Sequence, residues 1–128
     1  DTPTKTIWAF PYDPASGEIG ERRVFVQTDA SESPDGATVD AEGYLWSARY
    51  NGGRVVRHAP DGRIDRVIEV AARQVTCCAF GGPDLATLFI TTATQTLSPA
   101  HRAAQPAAGH LLAVEAGVKG LAEPRFIV

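Results

Sequence analysis

Residues 34–55 read PDGATVDAEGYLWSARYNGGRV, and this stretch decides the fold. It alternates turn residues with short apolar segments, in the order turn, strand, turn, strand, turn, strand. Its first turn carries a carboxylate, Asp35, between a proline and a glycine, which presents an oxygen ligand at a fixed place. One carboxylate does not make a metal site, so a metal ion would need further ligands from elsewhere.

The rest of the chain continues this pattern. Glycine and proline divide it into short pieces rich in Val, Ile, Phe, Trp and Thr, which favour strands over helices. We expect residues 94–109 to form a long loop, residues 40–43 a solvated hairpin turn, and Trp8, Trp46 and Phe80 to pack between sheets. The predicted strands are residues 5–12, 23–28, 37–40, 44–49, 54–58, 65–70, 75–80, 87–92 and 110–115. The sequence therefore predicts an all-β fold.

Internal echoes favour a propeller over a sandwich or a barrel. Residues 39–48 resemble residues 79–93, since both are a strand, a glycine-bearing turn and an apolar strand. A second echo links residues 6–10, 54–58 and 110–114. The repeat interval of about 40–55 residues is near the length of a propeller blade. The chain is thus expected to be part of a β-propeller with four-stranded antiparallel blades.

The positions of the repeats predict where each blade begins and ends along the chain. Residues 1–30 would supply the last two strands of one blade, residues 35–72 one full blade, and residues 74–128 the final blade, whose short fourth strand could come from residues 125–128. The chain starts at Asp1 and contains no methionine, so we expect a fragment of a longer protein. Its first and last strands would each have an unpaired edge, with which the missing N-terminal half or a second copy would pair.

Composition excludes several partners. The net charge is −3 and there is no stripe of Lys and Arg, so neither nucleic acid nor an anionic membrane is expected as a partner. No apolar run approaches the roughly 18 residues of a spanning helix. Cys77 and Cys78 are adjacent and would point to opposite faces of a strand, so we expect two reduced, buried thiols in a reducing compartment, the cytoplasm.

Motifs along the whole chain share the order and spacing of one family. They are TIWAFPYD at 6–13, PDG at 34–36, DAEGYLW at 40–46, YNGGRV at 50–55, TCCAFGG at 76–82 and GVKG at 117–120. On these residues the chain resembles the C-terminal half of the senescence-marker-protein/gluconolactonase (regucalcin-like) family.

The resemblance implies a six-bladed propeller with one divalent metal ion, Ca, Zn, Mg or Mn, at one end of its channel. Family members hold the ion with a glutamate, an asparagine and the aspartate of the Pro-Asp-Gly turn, and only the last has a counterpart here, Asp35. The implied reaction of the parent protein is hydrolysis of a small sugar lactone, with Asp35 as metal ligand and as the catalytic base that takes the proton of water. From the local residues alone, Asp35 would instead cap a turn.

Because neighbouring strands run in opposite directions, successive loops fall on alternate faces of the predicted propeller. If Asp35 lies on the active face, that face also receives residues 1–5, 50–53, 71–74 and 94–109. Tyr50 and Asn51 are then the candidate substrate-binding residues, and the further candidates are Arg73, His101 and Arg102. Taken singly, each of these residues is better explained as a solvated loop residue, and Asn-Gly-Gly is also a common hairpin turn. The rival function is a noncatalytic module, either a calcium- or ligand-binding protein or a half-propeller that assembles with a partner.

Overall fold

The computed structural model describes residues 1–124, which form nine strands and one short helix. The strands are β1 (Thr6–Ala9), β2 (Arg23–Gln27), β3 (Ser33–Val39), β4 (Leu45–Tyr50), β5 (Arg54–His58), β6 (Ile64–Glu69), β7 (Val75–Gly81), β8 (Thr87–Thr92) and β9 (Leu111–Glu115). The helix, α1, spans Pro99–Ala103. The predicted all-β class is confirmed, and every predicted strand is present.

The strands form three antiparallel sheets. The first sheet pairs β1 with β2, the second has the order β3-β4-β5-β6, and the third has the order β7-β8-β9. Within the described residues, β1 pairs along its length only with β2, and β9 only with β8. The fourth strand predicted at residues 125–128 lies outside the described residues. No helix in the described part of the chain is long and apolar enough to cross a membrane.

The main core lies between the second and third sheets. Trp46 on β4 is fully buried and meets Phe80 on β7 edge to face, with ring centroids 5.9 Å apart. Such a pair adds about 0.5–1.5 kcal/mol to the burial of its apolar area. Leu88 and Ile90 of β8 belong to the same buried cluster as Trp46. The predicted packing of Trp46 and Phe80 between sheets is confirmed, whereas Trp8 is only half-buried on β1.

The turn at residues 40–43 is not simply solvated, because Asp40 is fully buried. Its carboxylate accepts hydrogen bonds from Trp46 Nε1 and Arg57 Nε, both at 2.8 Å, and from the backbone N–H of Tyr44 at 3.0 Å. Burial raises the pKa of Asp40, but the bonds from Trp46, Tyr44 and Arg57 outweigh it and leave the pKa below its usual value. The turn is an anchor that ties β3 to β4 and β5.

Two further expectations are corrected. Residues 94–109 contain α1, whose first turn is capped by Ser98 Oγ, which accepts a hydrogen bond from His101 N at 3.2 Å. The two cysteines are both free, but only Cys78 is buried while Cys77 is exposed. They point apart, as adjacent strand residues do. Burial raises the pKa of the Cys78 thiol to about 12.

Candidate functional site

The sequence predicts Asp35 in a turn before the strand, but the structure places it in a bulge of β3. The pairing of β3 with β4 shifts between Pro34, which faces Arg49, and Ala37, which faces Ser47. Asp35 and Gly36 therefore stand opposite the single residue Ala48. A bulge of this kind redirects a side chain away from the regular alternation. Here it presents the carboxylate of Asp35, which is exposed.

Gly36 fixes the position of this bulge against the third sheet. A Cβ atom at Gly36 would lie 2.4 Å from Sγ and 2.8 Å from Cα of Cys77 on β7. Since the second contact is with backbone, only glycine fits. β7 has its own bulge at the matching place, between Val75 and Cys77. The first strands of the second and third sheets thus meet directly beside Asp35.

The segment that leads into Asp35 is held from the N-terminal residues. Lys5 Nζ donates to the carbonyl of Glu32 at 3.1 Å and to Ser33 Oγ at 3.0 Å. Thr2 Oγ1 donates to the carbonyl of Pro34 at 3.0 Å. No sequence pattern marks Lys5 or Thr2 as positioning residues, because both act on a segment far along the chain.

The surroundings of Asp35 favour its neutral form. Although its side chain reaches solvent, partial burial raises the pKa of Asp35 above its usual value, and the backbone N–H of Gly36 offsets only part of this. A divalent cation beside the carboxylate would act in the opposite sense and favour the charged form. The carboxylate is thus an oxygen donor that gains from a neighbouring positive charge.

Tyr50 and Asn51 lie where β4 turns into β5. Tyr50 is half-buried, faces Ser33 across the sheet and forms an isolated bridge with Gln74. Asn51 is exposed, with a φ of 65° that suits asparagine in a tight turn. Within residues 1–124, no hydrogen bond joins either side chain to Asp35. The structure brings the backbone of Tyr50 to the strand that carries Asp35 and leaves both residues as candidates.

The other predicted rim loops join this turn. Gly53 N donates to the carbonyl of Arg73 at 3.0 Å, and Arg73 N donates to Gln105 Oε1 at 2.7 Å. Around them lies an open depression of about 530 Å³, lined by the turn after β4, the segment after β6 and the residues that follow α1. His101 and Arg102 lie on α1 and do not line it.

The described residues contain no complete metal centre. Across residues 1–124, no three His, Cys, Asp or Glu side chains are placed to hold a metal ion. The buried carboxylates of Glu32 and Asp40 are both committed to arginines. Asp35 fits a hard divalent ion as a single exposed oxygen donor, and the remaining ligands would have to come from outside this part of the chain.

Comparison with known proteins places the chain in a family. The family described as the SMP-30/Gluconolactonase/LRE-like region matches residues 1–94. A 6-deoxy-6-sulfogluconolactonase of Pseudomonas putida is 38% identical over 128 residues, which cover 98% of this chain and 44% of the relative. Human regucalcin is 37% identical over 125 residues, which cover 95% of this chain and 42% of the relative. The chain thus spans less than half the length of these relatives.

A solved structure shows the same likeness in three dimensions. The calcium-binding protein regucalcin of Agrobacterium tumefaciens superposes with a TM-score of 0.92 at 35% identity, over 100% of this chain and 44% of that one. The family match over most of the chain and this superposition over all of it rest on different comparisons and agree. The chain belongs to the SMP-30/gluconolactonase/LRE-like family.

Proposed function

We propose that this chain is the C-terminal half of a six-bladed propeller, and that the complete protein, called the parent protein below, is a metal-dependent sugar-lactone hydrolase. Relatives named as lactonases support the hydrolase class. The repeat length and the three successive antiparallel sheets support the propeller. The missing blades would supply the other metal ligands and most of the substrate pocket.

The placement of Asp35 carries the proposal. It is an exposed carboxylate in a bulge that Gly36 and Cys77 hold in place, where the second and third sheets meet. A residue that only capped a turn would not need this rigid support. Sites that bind and react hold their groups on rigid elements supported by close packing.

The proposed reaction adds water across the ester of a cyclic sugar and gives the open aldonic acid. A bound Ca, Zn, Mg or Mn ion would polarise the ester carbonyl and lower the pKa of a bound water. Asp35 would hold that ion and accept the proton that the attacking water loses. Tyr50 and Asn51 would offer a phenol and an amide to the hydroxyl groups of the sugar at the rim.

Metal removal tests this proposal directly. The parent protein, stripped with a chelator, is expected to lose at least about 100-fold in kcat/KM toward gluconolactone, because a catalytic ion contributes several kcal/mol to transition-state binding. Adding back each of Ca, Mg, Mn and Zn should restore the rate and identify the preferred ion. A chelated protein with unchanged turnover, followed by a pH indicator, would contradict the metal dependence.

A noncatalytic calcium-binding role is the second candidate. It is favoured by one observation, that the Agrobacterium relative with a TM-score of 0.92 is named a calcium-binding protein. In that case the parent protein would bind Ca²⁺ through Asp35 and show no turnover with any of the four ions. The same add-back experiment therefore separates the two candidates.

The open edges of the chain have partners in this proposal. Within the described residues, β1 and β9 each leave one edge without a neighbouring strand. Such edges pair readily with another strand. We infer that the N-terminal half of the parent protein covers both, and that a second copy of the chain does so when that half is absent. The two free cysteines suit a reducing compartment, and we assign the parent protein to the cytoplasm.

Expression of residues 1–128 alone tests this arrangement. We expect the isolated chain to self-associate, as measured by light scattering after gel filtration, and to hydrolyse no gluconolactone above background. Mixing it with the separately produced N-terminal half should restore a one-to-one complex. A stable monomer with lactonase activity would show that the site is complete within this chain.

A further inference from the structure

Lys5 joins the first sheet to the start of the second. It lies directly before β1 and is half-buried. Its carbonyl accepts hydrogen bonds from the backbone N–H of Thr28 at 2.9 Å and from Thr28 Oγ1 at 3.2 Å, just after β2. Its ammonium donates in the other direction, to the carbonyl of Glu32 at 3.1 Å and to Ser33 Oγ at 3.0 Å. One residue therefore connects both strands of the first sheet with the start of β3.

These bonds carry most of the connection, because the first and second sheets share no backbone ladder. In the described part of the chain, the hydrogen bonds from residues 1–28 to residues 32–34 all start at side chains, two at Lys5 Nζ and one each at Thr2 Oγ1 and Thr28 Oγ1. The hydroxyl of Thr28 shares its single proton between two carbonyls. Bonds from an ammonium are stronger than those between neutral groups. Lys5 is thus the main tether of this segment.

The backbone of Lys5 is strained. Its φ is 58°, in the left-handed region that a side chain with a Cβ atom rarely adopts. Such a conformation persists only where the surroundings hold it. Here Lys5 N donates to the carbonyl of Thr2 at 3.2 Å, and Gln27 Nε2 donates to the carbonyl of Lys5 at 3.1 Å. The fold therefore retains strain at the residue whose ammonium reaches β3, although glycine or asparagine would relieve it.

The tethered segment leads directly into the bulge that carries Asp35. Ser33 and Pro34 are buried, and Pro34 is the last residue of β3 to pair with β4 before the register shifts. Asp35 follows at once, and Gly36 packs against the third sheet. The carboxylate is therefore fixed from two sides, from the third sheet through Gly36 and from the first sheet through Lys5.

The attachment to the first sheet matters for a metal ion. The remaining ligands have to come from outside the described residues, and β1 has a free edge at which the N-terminal half of the proposed parent protein pairs. Metal–ligand distances are held to within about 0.2 Å. Asp35 must therefore keep its place relative to that half, and the first sheet is the described part that adjoins it.

We propose that Lys5 is a positioning residue of the metal site, which holds Asp35 in register with the ligands that the N-terminal half supplies. This inference rests on the proposed role of Asp35 as a metal ligand. Lys5 does not contact the ion and acts through residues 32–34. Losing a group that orients a metal ligand lowers metal affinity about 10–100-fold, and we expect a loss in this range.

Replacing Lys5 by asparagine in the parent protein tests this role. Asparagine accepts the positive φ but is too short to reach Ser33. For the ion that the wild-type protein binds most tightly, calorimetry should show a dissociation constant about 10–100-fold higher. A purely structural residue would lower only the free energy of unfolding, so affinity is measured where urea unfolding shows every variant to be folded. Unchanged affinity in Lys5→Asn would overturn the proposal.

Two further variants complete the test. Lys5→Arg keeps a cation of similar reach and should retain most of the affinity. Lys119→Asn makes the same chemical change at an exposed lysine after β9 and should bind as the wild type does. An equal loss in Lys119→Asn would assign the effect to the lost charge and overturn the positioning role.

Hydrogen exchange of the metal-free protein separates this inference from the proposed function. In a peptide that spans residues 29–37, followed by mass spectrometry, the amides of Lys5→Asn should exchange at least about tenfold faster than those of the wild type. Lys119→Asn should show no change. Equal exchange in Lys5→Asn and the wild type would overturn the tether. A wild-type protein that binds none of the four ions would refute the metal site alone, and the exchange rates would still decide whether Lys5 holds the segment.

Discussion

Replacing Asp35 by alanine in the parent protein is expected to abolish metal binding and lactone hydrolysis while the fold stays intact. The side chain is exposed, so the free energy of unfolding should change by less than about 0.5 kcal/mol. Loss of a partner that merely orients a metal ligand reduces metal affinity 10–100-fold, so loss of a ligand itself should exceed about 100-fold. Titration calorimetry measures the affinity, and the rate of acid release measures the reaction.

The chain provides a matched control for this variant. Residues 60–62 repeat the triplet Pro-Asp-Gly, and Asp61 has an exposed side chain that, among residues 1–124, accepts a hydrogen bond only from the backbone N–H of Arg63. Asp61→Ala should leave metal affinity and turnover unchanged. An Asp35→Ala protein with wild-type metal affinity would refute the assignment of Asp35 as a ligand. Equal losses in both variants would point to a general effect of the triplet on folding.

Replacing Asp40 by alanine should produce the largest loss of stability of any single carboxylate substitution in the described residues. The change removes the one fully buried carboxylate of the three that pair with Arg57 in the described residues, whose Oδ2 lies 2.7 Å from Arg57 Nη2, and leaves Trp46 Nε1 without its acceptor. Breaking a buried ion pair from one side costs about 3–5 kcal/mol. Urea unfolding of the parent protein, with Asp61→Ala as the exposed control, measures the difference.

A double-mutant cycle separates the pair from the site as a whole. Arg57→Ala alone leaves Asp40 charged and buried, whereas the double variant removes both charges. The double variant should therefore lose less stability than the sum of the two single variants, by about 0.5–3 kcal/mol. Strictly additive losses would show that Asp40 and Arg57 act independently and that the contact has no net coupling.

Most of the fold could be predicted because its signals are local. Strands such as β4 and β5 are short, rich in β-branched and aromatic residues and separated by the Asn51-Gly52-Gly53 turn, where Asn51 and Gly53 adopt positive φ. The helix α1 was missed because it is a single short turn. Its signal was nevertheless present, since Ser98 followed by Pro99 is a typical N-cap and first helical residue.

Less of the site could be predicted, because its decisive contacts join distant residues. The sequence placed Asp35 in a turn, but the bulge that holds it depends on the pairing of β3 with β4. The burial of Asp40 depends on Arg57, which lies on another strand, and the turn residues around Asp40 resemble those of any exposed hairpin. The burial of Arg49 could not be predicted either, because nothing next to it in sequence shows that β2 would cover it.

The contact between Gly36 and Cys77 has an evolutionary consequence. Even a glycine at position 77 would leave its Cα 2.8 Å from a new Cβ at position 36, so no compensating substitution on β7 alone can admit a side chain there. The second and third sheets are therefore not interchangeable modules. A recombination event that brought in a foreign third sheet would have to deliver a backbone that approaches Gly36 equally closely, or Asp35 would be displaced. Repeated sheets favour duplication and exchange, but the two sheets that meet at Gly36 and Cys77 have to be inherited together.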